Sequence, residues 1–186
     1  MNKTKYFVGR IFDDEQLEYL RNHLNSRLHS LKDSRVTGKR SLNKDKRDSM
    51  FCRMRIHEAP DINYKIINTI NEKLDEKITI GTHIVSELEF LHYSEGGKFK
   101  KHQDVVSNKE DNPRVYTTIT FLEKSEDLEG GHLRLYESKE SDNYTRFKFN
   151  VGDTAIFYAG RYHECTEILQ GERKVLVGWV HQREKN

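Results

Sequence analysis

The stretch TRFKFNVGDTAIFYAGRYHECTEILQGERKVLVGWVH, residues 145–181, decides how the chain is read. It holds short runs rich in Val, Ile, Thr, Phe and Tyr, broken by the turn-forming residues Gly152-Asp153, Gly160 and Gly171. That is the spacing of serial β-strands, here at roughly 145–149, 154–158, 162–168 and 173–181. In the last run Arg173, Val175, Val177 and Trp179 share one parity, so a strand there places a guanidinium on the same face as three apolar side chains.

The same texture extends back to Ile78, with further strands expected at 79–93, 99–105, 114–123 and 132–137. Many short strands with turn signals between them indicate a sandwich or jelly-roll barrel. The first third of the chain differs. Residues 5–11 read as a short strand, and Asp13 or Asp14 can cap a helix whose Leu17, Leu20, Leu24, Leu28 and Leu31 recur at helical spacing. Residues 61–77 read as a second amphipathic helix through Ile62, Ile66, Ile67, Ile70 and Leu74, with Pro60 harmless just before it. Between the helices, 51–56 looks like a strand. Residues 32–50 show no period and an excess of Lys and Arg, which reads as a mobile basic loop. The expected fold is therefore mainly β with two flanking helices. It is one domain over 1–186, with a helical support region at 1–77 and a jelly-roll core at 78–182.

Charged residues make up 33% of the chain and the apolar set 34%, so the core has to be economical and sheet-based. The formal net charge of +2 gives no global field to draw the chain onto nucleic acid or an anionic membrane. No apolar run reaches the length of a bilayer span, and the first ten residues lack the apolar core of a signal peptide, so a soluble, cytoplasmic protein is expected. Cys52 and Cys165 make neither a disulfide framework nor a C-x-x-C metal pattern.

The residues that carry chemistry fall in three places. His102 and Asp104, two apart on an expected strand, project from one face as a metal-ligand pair. Taken alone this is weak, because nine His in a chain of this length produce an H-x-D by chance roughly half the time. His163 follows the turn after 154–158 and is the natural third ligand. Two imidazoles and a carboxylate on one face of an iron leave three positions open, as chemistry with a bidentate cosubstrate and O₂ requires. Arg173 is the third element: a buried guanidinium needs an anion, and its planar fork suits a carboxylate. The bland alternatives are a surface His–Asp pair at 102 and 104, and a structural bridge from Arg173 to Asp153 or Glu172.

With these residues in place the chain resembles the prolyl-hydroxylase-like branch of the 2-oxoglutarate and Fe(II)-dependent dioxygenases. The resemblance spans residues 88–181. It rests on Tyr93-x-x-Gly96-x-x-Phe99-x-x-His102-x-Asp104, the Thr-Ile-Thr-Phe-Leu strand at 118–122, Gly130-Gly131-x-Leu133, Gly152-Asp153, and an Arg ten residues after His163. It implies a double-stranded β-helix, with iron ligands His102, Asp104 and His163 and with Arg173 on the distal carboxylate of 2-oxoglutarate. Tyr93 and Thr120 would line the cosubstrate pocket, and Arg161 and Trp179 are candidate substrate contacts. Fe(II), 2-oxoglutarate and O₂ are the implied cofactors, with ascorbate a candidate reductant. The implied substrate is a prolyl residue in a peptide or protein; a free amino acid or other small molecule is the alternative. A non-catalytic barrel that binds a metal or an acid is the competing class. Nucleic-acid demethylation is disfavoured by the near-neutral charge and the single Arg after His163. Oligomeric state is left open.

Overall fold

The computed structural model describes residues 5–34, 42–105 and 114–183; the middle of the basic segment (35–41) and 106–113 lie outside the described residues. In chain order the elements are β1 (Tyr6–Arg10), α1 (Asp14–Asn25), β2 (Lys32–Asp33), β3 (Arg47–Asp48), β4 (Met50–Met54), α2 (Pro60–Leu74) and β5 (His83–Tyr93). They continue with β6 (Lys98–His102), β7 (Arg114–Lys124), β8 (Glu129–Gly130), β9 (Leu133–Tyr136), β10 (Tyr144–Phe147), β11 (Asp153–Tyr158), β12 (His163–Cys165), β13 (Ile168–Gln170) and β14 (Arg173–Gln182). Every ladder among them is antiparallel. One sheet runs β1-β11-β7-β14-β5-β4-β2, a second β10-β9-β12-β6-β3, and β13 pairs with β8. This is the jelly-roll arrangement that serial strands with turn signals predict.

The large sheet is buried on both faces, and strand parity divides the labour. On one face Leu88 and Phe90 of β5, Tyr116 and Leu122 of β7, Ile156 of β11 and Leu176 and Val180 of β14 pack against the helices. On the other, Leu91, Tyr93, Phe121, Val175, Val177 and Trp179 face the smaller sheet and meet Cys165 and Ile168. Because period 2 is strict along a strand, neither set can shift without moving the other to the wrong side. At each fully buried aliphatic position, removal from water stabilises the fold by about 1.5–3 kcal/mol.

Helix α1 begins with a capping box: the Asp13 carboxylate accepts from the Gln16 backbone N–H at 2.9 Å, and the Gln16 side chain returns to the Asp13 N–H. Leu17, Leu20 and Leu24 then point at the sheet and are fully buried. The helix stops at Asn25, so Leu28 is not part of its apolar stripe as its spacing suggests. Leu28 instead opens a short 3₁₀ turn (Leu28–Ser30) and is exposed. The Ser26 hydroxyl donates to the His23 carbonyl, and Arg27 reaches across to Glu58 and the Arg53 carbonyl, which turns the chain toward β2. In α2, Pro60 is itself the first helical residue, where a missing N–H costs nothing. Asp75, in the left-handed region at φ 57°, ends it. Among the described residues no helix is long and apolar enough to cross a membrane.

The ends of the 32–50 segment correct its reading as a loop: β2 pairs with β4, β3 pairs with β6, and Arg47 is buried. Two-residue strands have no period for a sequence to display. Likewise 162–168 is not one strand. It divides into β12 and β13, because Thr166 and Glu167 bend away to bond His132 and Gly131.

Candidate metal and cosubstrate site

Between the two sheets lies a cavity, partly open to solvent, whose lining includes His102, Asp104, His163, Tyr93 and Arg173. His102 is the last residue of β6 and His163 the first of β12, and the two are direct cross-strand partners. Asp104 lies just past the strand rather than on it, which corrects the expectation of a shared strand face. Its backbone N–H donates to the Ala159 carbonyl at 2.9 Å, and the Thr117 hydroxyl donates to its Oδ2 at 2.8 Å, so both the backbone and the carboxylate are anchored.

The three side chains converge. Asp104 Oδ1 is 3.6 Å from His102 Nε2 and Oδ2 is 3.5 Å from His163 Nε2. Donor atoms of all three lie within 4.8 Å of one another, and among the described residues no other His, Cys, Asp and Glu group does so. Ligands about 2.1 Å from one ion and at right angles sit about 3 Å apart, so these atoms can close on a metal with small movements. The tautomers are set as well. His102 Nδ1 faces the Lys100 carbonyl at 2.7 Å and His163 Nδ1 the Arg161 carbonyl at 2.9 Å. With Nδ1–H donating, each Nε2 lone pair is left toward the carboxylate. Phe99 stacks on His102 at 3.4 Å and Phe157 meets His163 edge-on at 4.8 Å, which fixes the ring planes.

Electrostatics agree with a ligand set. Burial works to raise the Asp104 carboxyl, but the imidazoles in their protonated form, His163 first, outweigh it and hold it well below the usual carboxylate range. Burial, and then His163, push His102 down, so its ring is neutral at pH 7. An ionised carboxylate beside neutral imidazole is the protonation state that metal binding needs.

Across the cavity, Arg173 at the start of β14 is 3% exposed. Its Nη1 donates to the Gly131 carbonyl, its Nη2 donates to Cys165 Sγ at 2.8 Å, and its Nε has no partner among the described residues. The Tyr93 and Phe121 rings lie 4.9 and 5.3 Å from its Cζ. Neither structural bridge forms: Glu172 turns to His92 and Lys174, and Asp153 accepts from the Asn150 backbone. Among the described residues no carboxylate contacts this buried cation, which leaves it suited to an incoming acid. The Gly130-Gly131 turn, at φ 77° and 59°, aims the Gly131 carbonyl; a Cβ at Gly130 would lie 2.1 Å from the Glu167 carbonyl oxygen.

The other sequence candidates divide. Tyr93 lines the cavity directly opposite Arg173, and burial pushes its hydroxyl up to about 12, so it stays a neutral donor. Trp179 lines the cavity with the Arg114 guanidinium 4.0 Å over its ring, and its Nε1 has no partner among the described residues. Thr120 does not line the cavity. It faces the other side of β7, where its hydroxyl bonds Thr154 at 2.9 Å, and the residue beside Arg173 is its neighbour Phe121. Arg161 also stays out of the cavity: its Nε donates to the Tyr136 carbonyl at 3.4 Å, and it borders a surface depression with Gln103 and Tyr158. Sequence reasoning missed Thr117, Cys165 and Arg47, all of which line the cavity. Cys165 shares the parity of His163, which was the signal available for it, whereas Thr117 lies on β7, whose two faces are alike in composition and gave none.

A jelly roll in which one cavity is lined by a His-Asp-His cluster and a buried arginine has the makings of a non-haem iron oxygenase. A family model of the 2OG-Fe(II) oxygenase superfamily matches residues 88–181, and the chain belongs to that superfamily. Curated relatives include a PKHD-type hydroxylase of Prochlorococcus marinus (strain AS9601), 27% identical over 189 residues that cover 97% of this chain and 80% of that protein. Another is a PKHD-type hydroxylase of Crocosphaera subtropica, 26% identical over 67% of this chain and 55% of its own length. Among solved structures, a Pseudomonas putida prolyl-4-hydroxylase superposes with TM-score 0.71 at 18% identity, over 96% of this chain and 92% of that one. A prolyl hydroxylase from Trichoplax adhaerens, solved with a hypoxia inducible factor peptide fragment, gives 0.68 at 14%, over 96% and 84%. The chain is thus an enzyme of the 2-oxoglutarate and Fe(II)-dependent class, with Fe(II), 2-oxoglutarate and O₂ as its cofactors.

Proposed function

We propose that this enzyme hydroxylates a prolyl residue in a peptide or protein, using His102, Asp104 and His163 to hold Fe(II) and Arg173 to hold the far carboxylate of 2-oxoglutarate. The observation that carries the reading is the buried guanidinium of Arg173, which shares the cavity with the His-Asp-His cluster and has no acid of its own among the described residues. Bound iron supplies the oxygen chemistry, coupling decarboxylation of 2-oxoglutarate to succinate and CO₂ with placement of one oxygen atom on a substrate C–H bond. The protein supplies position. Backbone carbonyls fix the imidazole tautomers, Thr117 and the Ala159 carbonyl hold Asp104, and the clamp orients the cosubstrate so that its reacting end stays at the metal. Trp179, at the cavity wall, offers an apolar face to an entering chain. The hydroxylase relatives and the prolyl hydroxylases among the structural neighbours favour a prolyl substrate, and the peptide held by one of those neighbours favours one within a peptide chain.

The test is aerobic incubation with Fe(II), 2-oxoglutarate and proline-containing peptides, reading peptide mass and succinate together. A gain of one oxygen on a prolyl residue, matched to succinate, supports the reading. Oxygen gained only by free amino acids overturns the peptide assignment, and wild-type protein that makes no succinate with any substrate overturns the site assignment. Omitting ascorbate, proposed as the reductant, should shorten the linear phase without changing the product.

A further inference from the structure

The Arg173 head group is held by two acceptors, and neither carries charge. One is the Gly131 carbonyl; the other is the sulfur of Cys165, 2.8 Å from Nη2. Cys165 is buried, lines the cavity, and stands two residues after His163 on the same strand, so its side chain shares the face of that imidazole. Its thiol proton faces the Thr166 carbonyl at 3.4 Å, leaving the sulfur lone pairs for the guanidinium.

We infer that Cys165 is a positioning residue for the cosubstrate: its sulfur sets the orientation of Arg173 and ties the clamp to the strand that carries His163. The inference rests on the reading of Arg173 as the 2-oxoglutarate clamp. Three features carry it. Sulfur is a weak acceptor, so it directs Nη2 without satisfying the cation, whereas a carboxylate at the same place would neutralise it before any ligand arrived. The rings of Tyr93 and Phe121 cover other parts of the guanidinium and likewise leave its charge unspent. And Phe121 lacks a hydroxyl, so of that pair it is the Arg173 fork that can donate to an acid.

The experiment is anaerobic titration of the Mn(II)-loaded protein with 2-oxoglutarate, followed by calorimetry and by fluorescence of the single tryptophan, which lines the cavity. Cys165→Val should weaken 2-oxoglutarate binding about fivefold to tenfold, less than for an ordinary hydrogen bond to a charged group because sulfur is a weak acceptor. Cys165→Ser, which restores an acceptor, should bind within about twofold of wild type, and Cys165→Asp should weaken binding by more than about a hundredfold. Mn(II) affinity should hold within about twofold in the Val and Ser variants, since neither touches the proposed ligands. Cys165→Ala removes the sulfur without adding bulk and carries the same expectation as Val, should Val fail to fold. The inference is overturned if Val and Ala bind 2-oxoglutarate like wild type, or if Ser is as weak as Val. Wild-type protein that binds Mn(II) but not 2-oxoglutarate overturns the clamp itself, and the inference with it.

Discussion

Replacing Thr117 by Val keeps the shape of the side chain and deletes the hydroxyl that donates to Asp104 Oδ2 at 2.8 Å. Thr117 has no exposed surface and the Asp104 side chain is 10% exposed, so little water is at hand to replace the lost donor. A hydrogen bond to an ionised acceptor in such a place contributes about 1.5–3 kcal/mol. At about 1.4 kcal/mol per factor of ten, and with partners of metal ligands typically contributing 10- to 100-fold in affinity, Thr117→Val should bind divalent metal about 10- to 100-fold more weakly. Thr117→Ser retains the hydroxyl and should recover most of that loss. The assay is anaerobic calorimetric titration with Mn(II) at pH 7.5, with an unfolding curve on each variant to confirm the fold. Metal affinity within about twofold of wild type in the Val variant, or a Ser variant as weak as Val, would show that the contact does not hold the carboxylate for the ion.

Three further outcomes are expected. Arg173→Ala should raise the 2-oxoglutarate concentration needed for succinate production by about thirtyfold or more, with Arg173→Lys intermediate because a point charge replaces the fork; an unchanged requirement would refute the clamp. Ile70→Ala, at a fully buried position of α2, should cost about 2–5 kcal/mol in urea unfolding and leave one transition; two transitions would show that the helices and the barrel do not unfold together. Glu58 joins the α1 and α2 ends through the Arg55 N–H and Arg27, and those contacts, the Arg55 N–H foremost, hold its carboxyl below the ordinary value of 4.5. A depressed folded-state pKa gives stability that is present above the unfolded value and lost as pH falls through the folded one. Glu58→Gln should therefore be less stable than wild type by about 1 kcal/mol at pH 7, and the difference should close below pH 4.5; a gap that persists at acid pH would rule out the ionic cause.

What the sequence made legible follows from how regular each signal is. The faces of α1 and α2 were readable because Leu17, Leu20 and Leu24, and Ile62 through Leu74, repeat with helical period, and each is buried where that period puts it. The parity of Arg173, Val175, Val177 and Trp179 was readable for the same reason, and it placed the guanidinium inside before any coordinates did. In β7 the signal fails. Arg114–Lys124 is apolar or uncharged on both faces through most of its length, so no alternation says which of Thr120 and Phe121 turns inward. The end of α1 was hidden because Leu28 and Leu31 continue the spacing after the backbone has left the helix. The contacts of Thr117 with Asp104 and of Cys165 with Arg173 depend on strand neighbours brought together by the fold, which no local pattern encodes.

Strand β14 has a consequence for how the enzyme comes into being. Its alternate side chains belong to two different rooms, the greasy one shared with the helices and the reactive one between the sheets. A slip by a single residue would send Arg173 toward the hydrocarbon side and Leu176 into the cavity. The pairing that seats β14 between β5 and β7 is thus also what puts the Arg173 guanidinium in the cavity at all.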